Sequence, residues 1–162
     1  MEQETKPSLH FENERIKIIN KSKNPLPSYA HVGDSGMDIR AMLDEPVTLM
    51  PLERKLIPTG IYVALPPNTE IQVRPRSGLA LKHGITVLNT PGTVDSGYRN
   101  EIGVILVNLS SEPYTVQDGE RIAQLVFSRV DKIEFWDEVT EFTEEDLNND
   151  RGMNGYGSSG KF

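Results

Sequence analysis

Cysteine is absent from this chain, which removes disulfides, thiolate nucleophiles and zinc–thiolate centres at once. Histidine is almost absent. Only His10, His31 and His83 occur, none at metal-ligand spacing from another. No apolar run is long enough to cross a bilayer, and no signal-like apolar stretch follows the first residues, so a soluble cytoplasmic protein is expected. Positive charge is also scarce: 17 Lys and Arg stand against 24 Asp and Glu, a formal net charge of -7. A duplex-binding protein needs a basic face, so direct nucleic-acid binding is not expected. A small anionic ligand remains possible wherever a few arginines converge.

What is present is punctuation. Eleven prolines and 13 glycines break the apolar sequence into short pieces. Strands are expected at 15–19, 47–50, 55–57, 61–65, 70–73, 114–116 and 121–130, with a return to strand at Ile39. Many short strands separated by turn signals predict an all-β sandwich or barrel-like fold. At 162 residues one domain is expected, large enough to bury a core without staples. Ser77–Lys82 is the best helical turn of the first half, and Thr143 with Asp146 can cap another. Residues 134–150 carry eight acids and no Lys or Arg, which reads as a solvated face.

The chain is organised around residues 84–108, GITVLNTPGTVDSGYRNEIGVILVN. Two apolar, β-branched runs flank Pro91-Gly92 and Asp95-Ser96-Gly97, so the stretch reads as a β-hairpin with a decorated tip. Asp95 stands between Val94 and Tyr98 there. A carboxylate among such neighbours can act as a positioned base, or simply open a tight turn. Arg76-Ser77-Gly78 sets a guanidinium, a hydroxyl and a bare backbone N–H at the start of a helical turn, which suits a phosphate. Gln124 sits in an otherwise apolar strand, where a buried amide needs partners. Asp38 follows Gly36 at a turn or strand end. The last segment, RGMNGYGSSGKF, joins four glycines to Arg151, Tyr156, Ser158 and Ser159. That is a cation, a flat ring and hydroxyls on a pliable backbone, able to close over an anionic, aromatic ligand.

In order and spacing these pieces resemble the trimeric dUTP diphosphatase (dUTPase) family. The family's five motifs are matched by DSGMDIRA (34–41), PRSGLA (75–80), NTPGTVDSGYRNEI (89–102), GERIAQLVF (119–127) and RGMNGYGSSG (151–160). The resemblance implies a jelly-roll-like β-barrel of the β-clip type over 15–147. Residues 1–14, polar and charged with Pro7, read as a loose N-terminal arm, and the resemblance implies a flexible arm at 148–162 that closes over the active site. A homotrimer with shared sites at its interfaces is implied as well. The implied reaction is Mg²⁺-assisted hydrolysis of dUTP to dUMP and pyrophosphate, keeping uracil out of DNA and supplying dUMP for thymidylate synthesis.

Residue by residue, the resemblance implies roles. Asp95 matches the acid that activates the attacking water. Tyr98 matches the ring against the deoxyribose that excludes a 2′-hydroxyl. Asn89, Gly92, Thr93, Val94 and Gly103 match the uracil-reading edge. Arg76, Ser77, Gly78 and Gln124 match phosphate contacts, and Asp38 an acid that meets the metal through water. Arg151, Ser158 and Ser159 match the γ-phosphate clamp, with Gly157 beside them and Tyr156 as the ring over uracil.

Ser35, Asn100, Tyr156 and Ser159 replace the family's usual Ala, Gly, Phe and Thr, and none of these changes removes a chemical group the reaction needs. The dCTP deaminases share the fold but carry a proton-moving glutamate where this chain has Ile105, so deamination is not expected. A nucleotide-sensing regulator that binds a partner protein is a second alternative, and an acidic β-domain with an unstructured tail a third.

Overall fold

Period-two burial and frequent turns build nearly all of this fold. A computed structural model describes residues 15–149. Its strands are β1 (Lys17–Asn20), β2 (Met37–Arg40), β3 (Val47–Leu49), β4 (Arg54–Ile57), β5 (Ile61–Ala64), β6 (Thr69–Arg74), β7 (Ile85–Val87), β8 (Gly92–Asp95), β9 (Val104–Asn108), β10 (Tyr114–Val116) and β11 (Arg121–Arg129). The helices are α1 (Ser77–His83) and α2 (Glu144–Leu147). Contacts divide the chain at Asp131/Lys132. The first unit holds every strand and α1. In the second, described over 132–149, Thr143 and Asp146 form the expected capping box on α2. No helix among the described residues is long and apolar enough to cross a membrane.

All strand pairs are antiparallel. They form a four-stranded sheet in the order β2-β11-β6-β8, a three-stranded sheet β4-β9-β7, and the pairs β1-β5 and β10-β3. The arrangement is jelly-roll-like, with four separate sheets and no closed ring of strands among the described residues. The inward-facing apolar residues meet in one core, in which Ile39, Leu49, Ile57, Leu106, Ile122 and Leu125 are almost wholly buried. Each such side chain contributes roughly 1.5–3 kcal/mol by leaving water.

The expected hairpin forms only in part. β7 and β9 pair, with Thr86 opposite Val107. The segment read as its turn-rich tip instead contains β8, which leaves the hairpin and pairs with β6 in the other sheet. The cause is an alternation hidden beneath turn residues: Gly92 and Val94 are buried while Thr93 and Asp95 are exposed. This detour places Asp95 at the end of an edge strand, where one side of the β8 backbone has no neighbouring strand among the described residues.

The four-stranded sheet is two-faced. Ile71, Val73, Val94 and Leu125 turn inward. Register places Asp38, Gln124 and Arg74 in one row across the opposite face, and Ser128, Glu70 and Asp95 in another. Along β6, Arg74 donates to Gln72 Oε1 at 3.0 and 2.6 Å, and Gln72 donates to Glu70 at 2.7 Å.

Candidate active site

Six residues expected to face the base and sugar, Asn89, Gly92, Thr93, Val94, Tyr98 and Gly103, line one pocket of about 190 Å³. Val73, Glu101, Ile102 and Ile105 complete its wall. The pocket therefore joins the free edge of β8 to the connection entering β9. Its mixture of small residues, apolar walls and exposed backbone suits a flat ring with polar edges. Ile105 presents an apolar wall at the position where the deaminase resemblance calls for a proton-moving acid.

Local hydrogen bonds fix this wall. The Tyr98 N–H donates to the Asp95 carbonyl at 3.0 Å, closing the turn after β8. The Tyr98 hydroxyl donates to the Glu101 carbonyl at 2.8 Å. Arg99 Nη1 donates to the Ser96 and Tyr98 carbonyls at 2.7 and 2.8 Å, tying the turn from outside. Asn100 Oδ1 accepts from the Glu101 N–H at 2.8 Å. Asp95 is exposed, follows pocket-lining Val94, and lies opposite Glu70 in register.

The residues expected at the phosphates form a second cluster. Asp38 Oδ1 accepts from Arg76 Nε at 2.8 Å, and Asp38 Oδ2 lies 3.5 Å from Arg121 Nη1. Arg76 Nη1 also donates to the Arg121 carbonyl at 3.2 Å. Gln124 Nε2 donates to the Pro75 carbonyl at 2.9 Å, giving the amide its partner. Gly36 permits this packing, since a Cβ there would lie 2.1 Å from Gln124 Oε1. Asp34, Gly36, Asp38 and Gln124 line a cleft of about 300 Å³. Ser77 and Gly78 are exposed at the start of α1. The two clefts share no lining residue.

Two groups beside this cluster escaped the sequence reading. Arg121 completes the Asp38 pair, and its signal was its place three residues before Gln124 in GERIAQL. The Tyr114 hydroxyl donates to Glu120. Burial raises this phenol well above its ordinary range, the bond to Glu120 and that carboxylate's charge add to the rise, and Arg76 opposes it. No group of three or more His, Cys, Asp or Glu among the described residues could cage a metal. Asp38, already shared by two guanidiniums, suits a water-separated cation better than direct ligation. Arg151, Tyr156, Gly157, Ser158 and Ser159 lie outside the described residues, as do both expected arms except for residues 148 and 149.

The fold and clefts define an all-β, β-clip-like domain with a backbone-edged pocket and a separate arginine-rich cluster. Comparison with known proteins narrows the class. The dUTPase family model matches residues 22–160. A deoxyuridine 5'-triphosphate nucleotidohydrolase of Clostridium novyi is 56% identical over 148 residues, covering 90% of this chain and 99% of the relative. The protein of the same name from Finegoldia magna is 53% identical over 147 residues, with coverages of 90% and 99%. Among solved structures, a mutant dUTPase of Staphylococcus bacteriophage 80alpha with dUpNHpp superposes with a TM-score of 0.78. It is 26% identical, and the match covers 91% of this chain and 99% of that one. A mutant dUTPase from phage phi11 of S. aureus, described with a structural Mg(II) ion, has the same fold at a TM-score of 0.70. Its identity is 23%, with coverages of 80% and 99%. The chain belongs to the dUTPase family, whose enzymes hydrolyse dUTP.

Proposed function

We infer that this chain cleaves dUTP between the α- and β-phosphorus atoms, releasing dUMP and pyrophosphate, with Asp95 as general base. The observation that carries this reading is the free edge of β8 lining a pocket beside Tyr98, with Asp95 next along the strand. Uracil offers an acceptor–donor–acceptor edge, which backbone N–H and C=O groups can meet. A 5-methyl group is expected to find no room against the walls of this pocket. Tyr98 stacks on the sugar face and leaves a 2′-hydroxyl neither room nor partner.

Asp95 orients a water and takes its proton as the water attacks the α-phosphorus in line. Arg76, Gln124 and the Ser77-Gly78 turn hold the chain of phosphates, and positioning with charge neutralisation supplies most of the acceleration. Asp38 would hold a magnesium ion carried by the triphosphate through water, and that ion would supply charge neutralisation at the phosphate oxygens. Arg151, Ser158 and Ser159 clamp the γ-phosphate with Gly157 beside them, and Tyr156 covers the base.

The assembly is a homotrimer in which neighbouring copies bring the two clefts into one site. Apolar side chains support this: Ile19 is 60% exposed, Leu56 66% and Leu81 88%, which a lone chain leaves in water. Pyrophosphate release with dUTP against dTTP, dCTP and UTP tests the reaction. Turnover of dUTP alone is expected, with no ammonia from dCTP. Removing 151–162 is expected to abolish turnover while sedimentation still reports a folded trimer. Unchanged turnover would remove that segment from the mechanism. A partner protein displaced by dUTP in a pull-down would instead favour the regulator.

A further inference from the structure

We propose that Glu101 is a positioning residue for sugar discrimination, holding the Tyr98 ring through its own backbone carbonyl. This rests on the dUTP reading above. Tyr98 has one polar anchor, its hydroxyl, which donates to the Glu101 carbonyl at 2.8 Å. The ring's tilt in the pocket therefore depends on where that carbonyl sits.

Glu101 does not rest on its own turn alone. Its side chain crosses to the loop before β5, where Oε1 accepts from the Thr59 N–H at 2.9 Å and the Gly60 N–H at 2.7 Å. Gly60 adopts φ +71°, which aims the two successive N–H groups at one oxygen. Adjacent bonds lock the same two segments. Thr59 Oγ1 donates to the Ile102 carbonyl at 2.6 Å, and the Ile102 N–H donates to the Ile61 carbonyl at 2.8 Å. Thr59 is 1% exposed and Ile102 2% exposed, so water cannot replace these bonds. The buried loop thus fixes Glu101, Glu101 fixes the phenol, and the phenol sets how closely the ring approaches a sugar.

The geometry asks for an oxygen at a set reach rather than for a charge. Glu101→Gln retains the acceptor and is expected to keep the wild-type ratio of kcat/KM for dUTP over UTP. Glu101→Asp falls one methylene short, and Glu101→Ala removes the acceptor. Both are expected to lower that ratio about tenfold, chiefly through a raised dUTP KM and a gain of UTP turnover. Tyr98→Phe leaves the 59–60 contact intact but cuts the anchor, and is expected to lower the ratio similarly. Equal loss on both nucleotides in folded Glu101→Ala would overturn the proposal. So would an unchanged ratio in Tyr98→Phe, which decides the matter if the Glu101 variants do not fold. Wild-type protein that releases no pyrophosphate from dUTP would sink the underlying reading instead, a result distinct from either.

Discussion

The Tyr98 pocket and the Asp38 cluster are built from different materials. The pocket is made of backbone and small side chains. Its polar groups are fixed by neighbours of its own segment and by the buried 59–61 loop. The cluster is made of long charged side chains that satisfy one another: Arg76 is held by Asp38 and the Arg121 carbonyl, and Arg121 by Asp38. A rigid backbone edge selects by shape, because reshaping it breaks buried bonds. A side-chain cluster can exchange partners, because an arriving phosphate replaces a carboxylate at about equal hydrogen-bond count. On the proposed reading, one region recognises the base while the other grips and releases the phosphates.

The largest expected effect belongs to Asp95, next along β8 from the pocket wall. Asp95→Asn keeps size and turn propensity but removes the proton acceptor. It is expected to lower kcat about 10²–10⁴-fold with little change in KM, read by pyrophosphate release. A comparable loss in KM would move Asp95 from the chemistry into binding.

Next comes the cluster. Arg76→Ala is expected to lower kcat/KM for dUTP roughly 10²-fold, and Arg76→Lys to recover only part, since an ammonium cannot reproduce the planar fork. The contrast sharpens with salt. Raising ionic strength is expected to weaken wild-type dUTP binding more than that of Arg76→Ala, because exposed charges are screened within about 10 Å at 0.1 M salt. Selection of uracil over thymine is expected to stay constant throughout. Salt-dependent base selection would erase the division of labour.

A smaller effect tests the pocket's support. Gly60 sits at φ +71°, and a Cβ there would lie 2.8 Å from the Ser22 backbone nitrogen. Gly60→Ala is expected to cost about 1–3 kcal/mol, seen as a Tm several degrees lower. An unchanged Tm would mean that the 59–60 loop relaxes freely and supports little.

The same contrast explains what was legible in the sequence. Strands announced by period-two alternation appeared close to where they were expected: β10 at Tyr114–Val116, β5 and β6 within a residue at each end, and both helical turns. β8 did not, because Gly92 stands at a buried position and contributes no apolar signal, while Pro91 and Gly97 mark turns on either side. The pocket-lining residues were legible because a family pattern names them in a fixed order. Glu101 and Arg121 lie inside the same patterns, but their roles depend on Thr59, Gly60 and Asp38, which are distant in sequence and unmarked by any local spacing. Long-range partners of single polar atoms leave no periodicity to read.

The smallest effect lies behind the cluster, at Tyr114. Its hydroxyl donates to Glu120, and its ring lies 5.0 Å from that of His83. Burial first, then the hydrogen bond and charge of Glu120, hold the phenol neutral in the folded chain beyond its ordinary value of 10.0. The unfolded chain lacks that environment, so it releases this proton near the ordinary value. Stability from this group is therefore fully present below about pH 10 and declines as pH rises above it, because only the unfolded state gains by ionising. Denaturant midpoints measured from pH 8 to 11 are expected to fall across the alkaline half for the wild type. Tyr114→Phe, which cannot ionise, is expected to show a shallower fall from a slightly lower starting midpoint. Parallel curves would mean that the phenol titrates alike in both states, and that the region behind Arg76 is as open to solvent as the cluster in front of it.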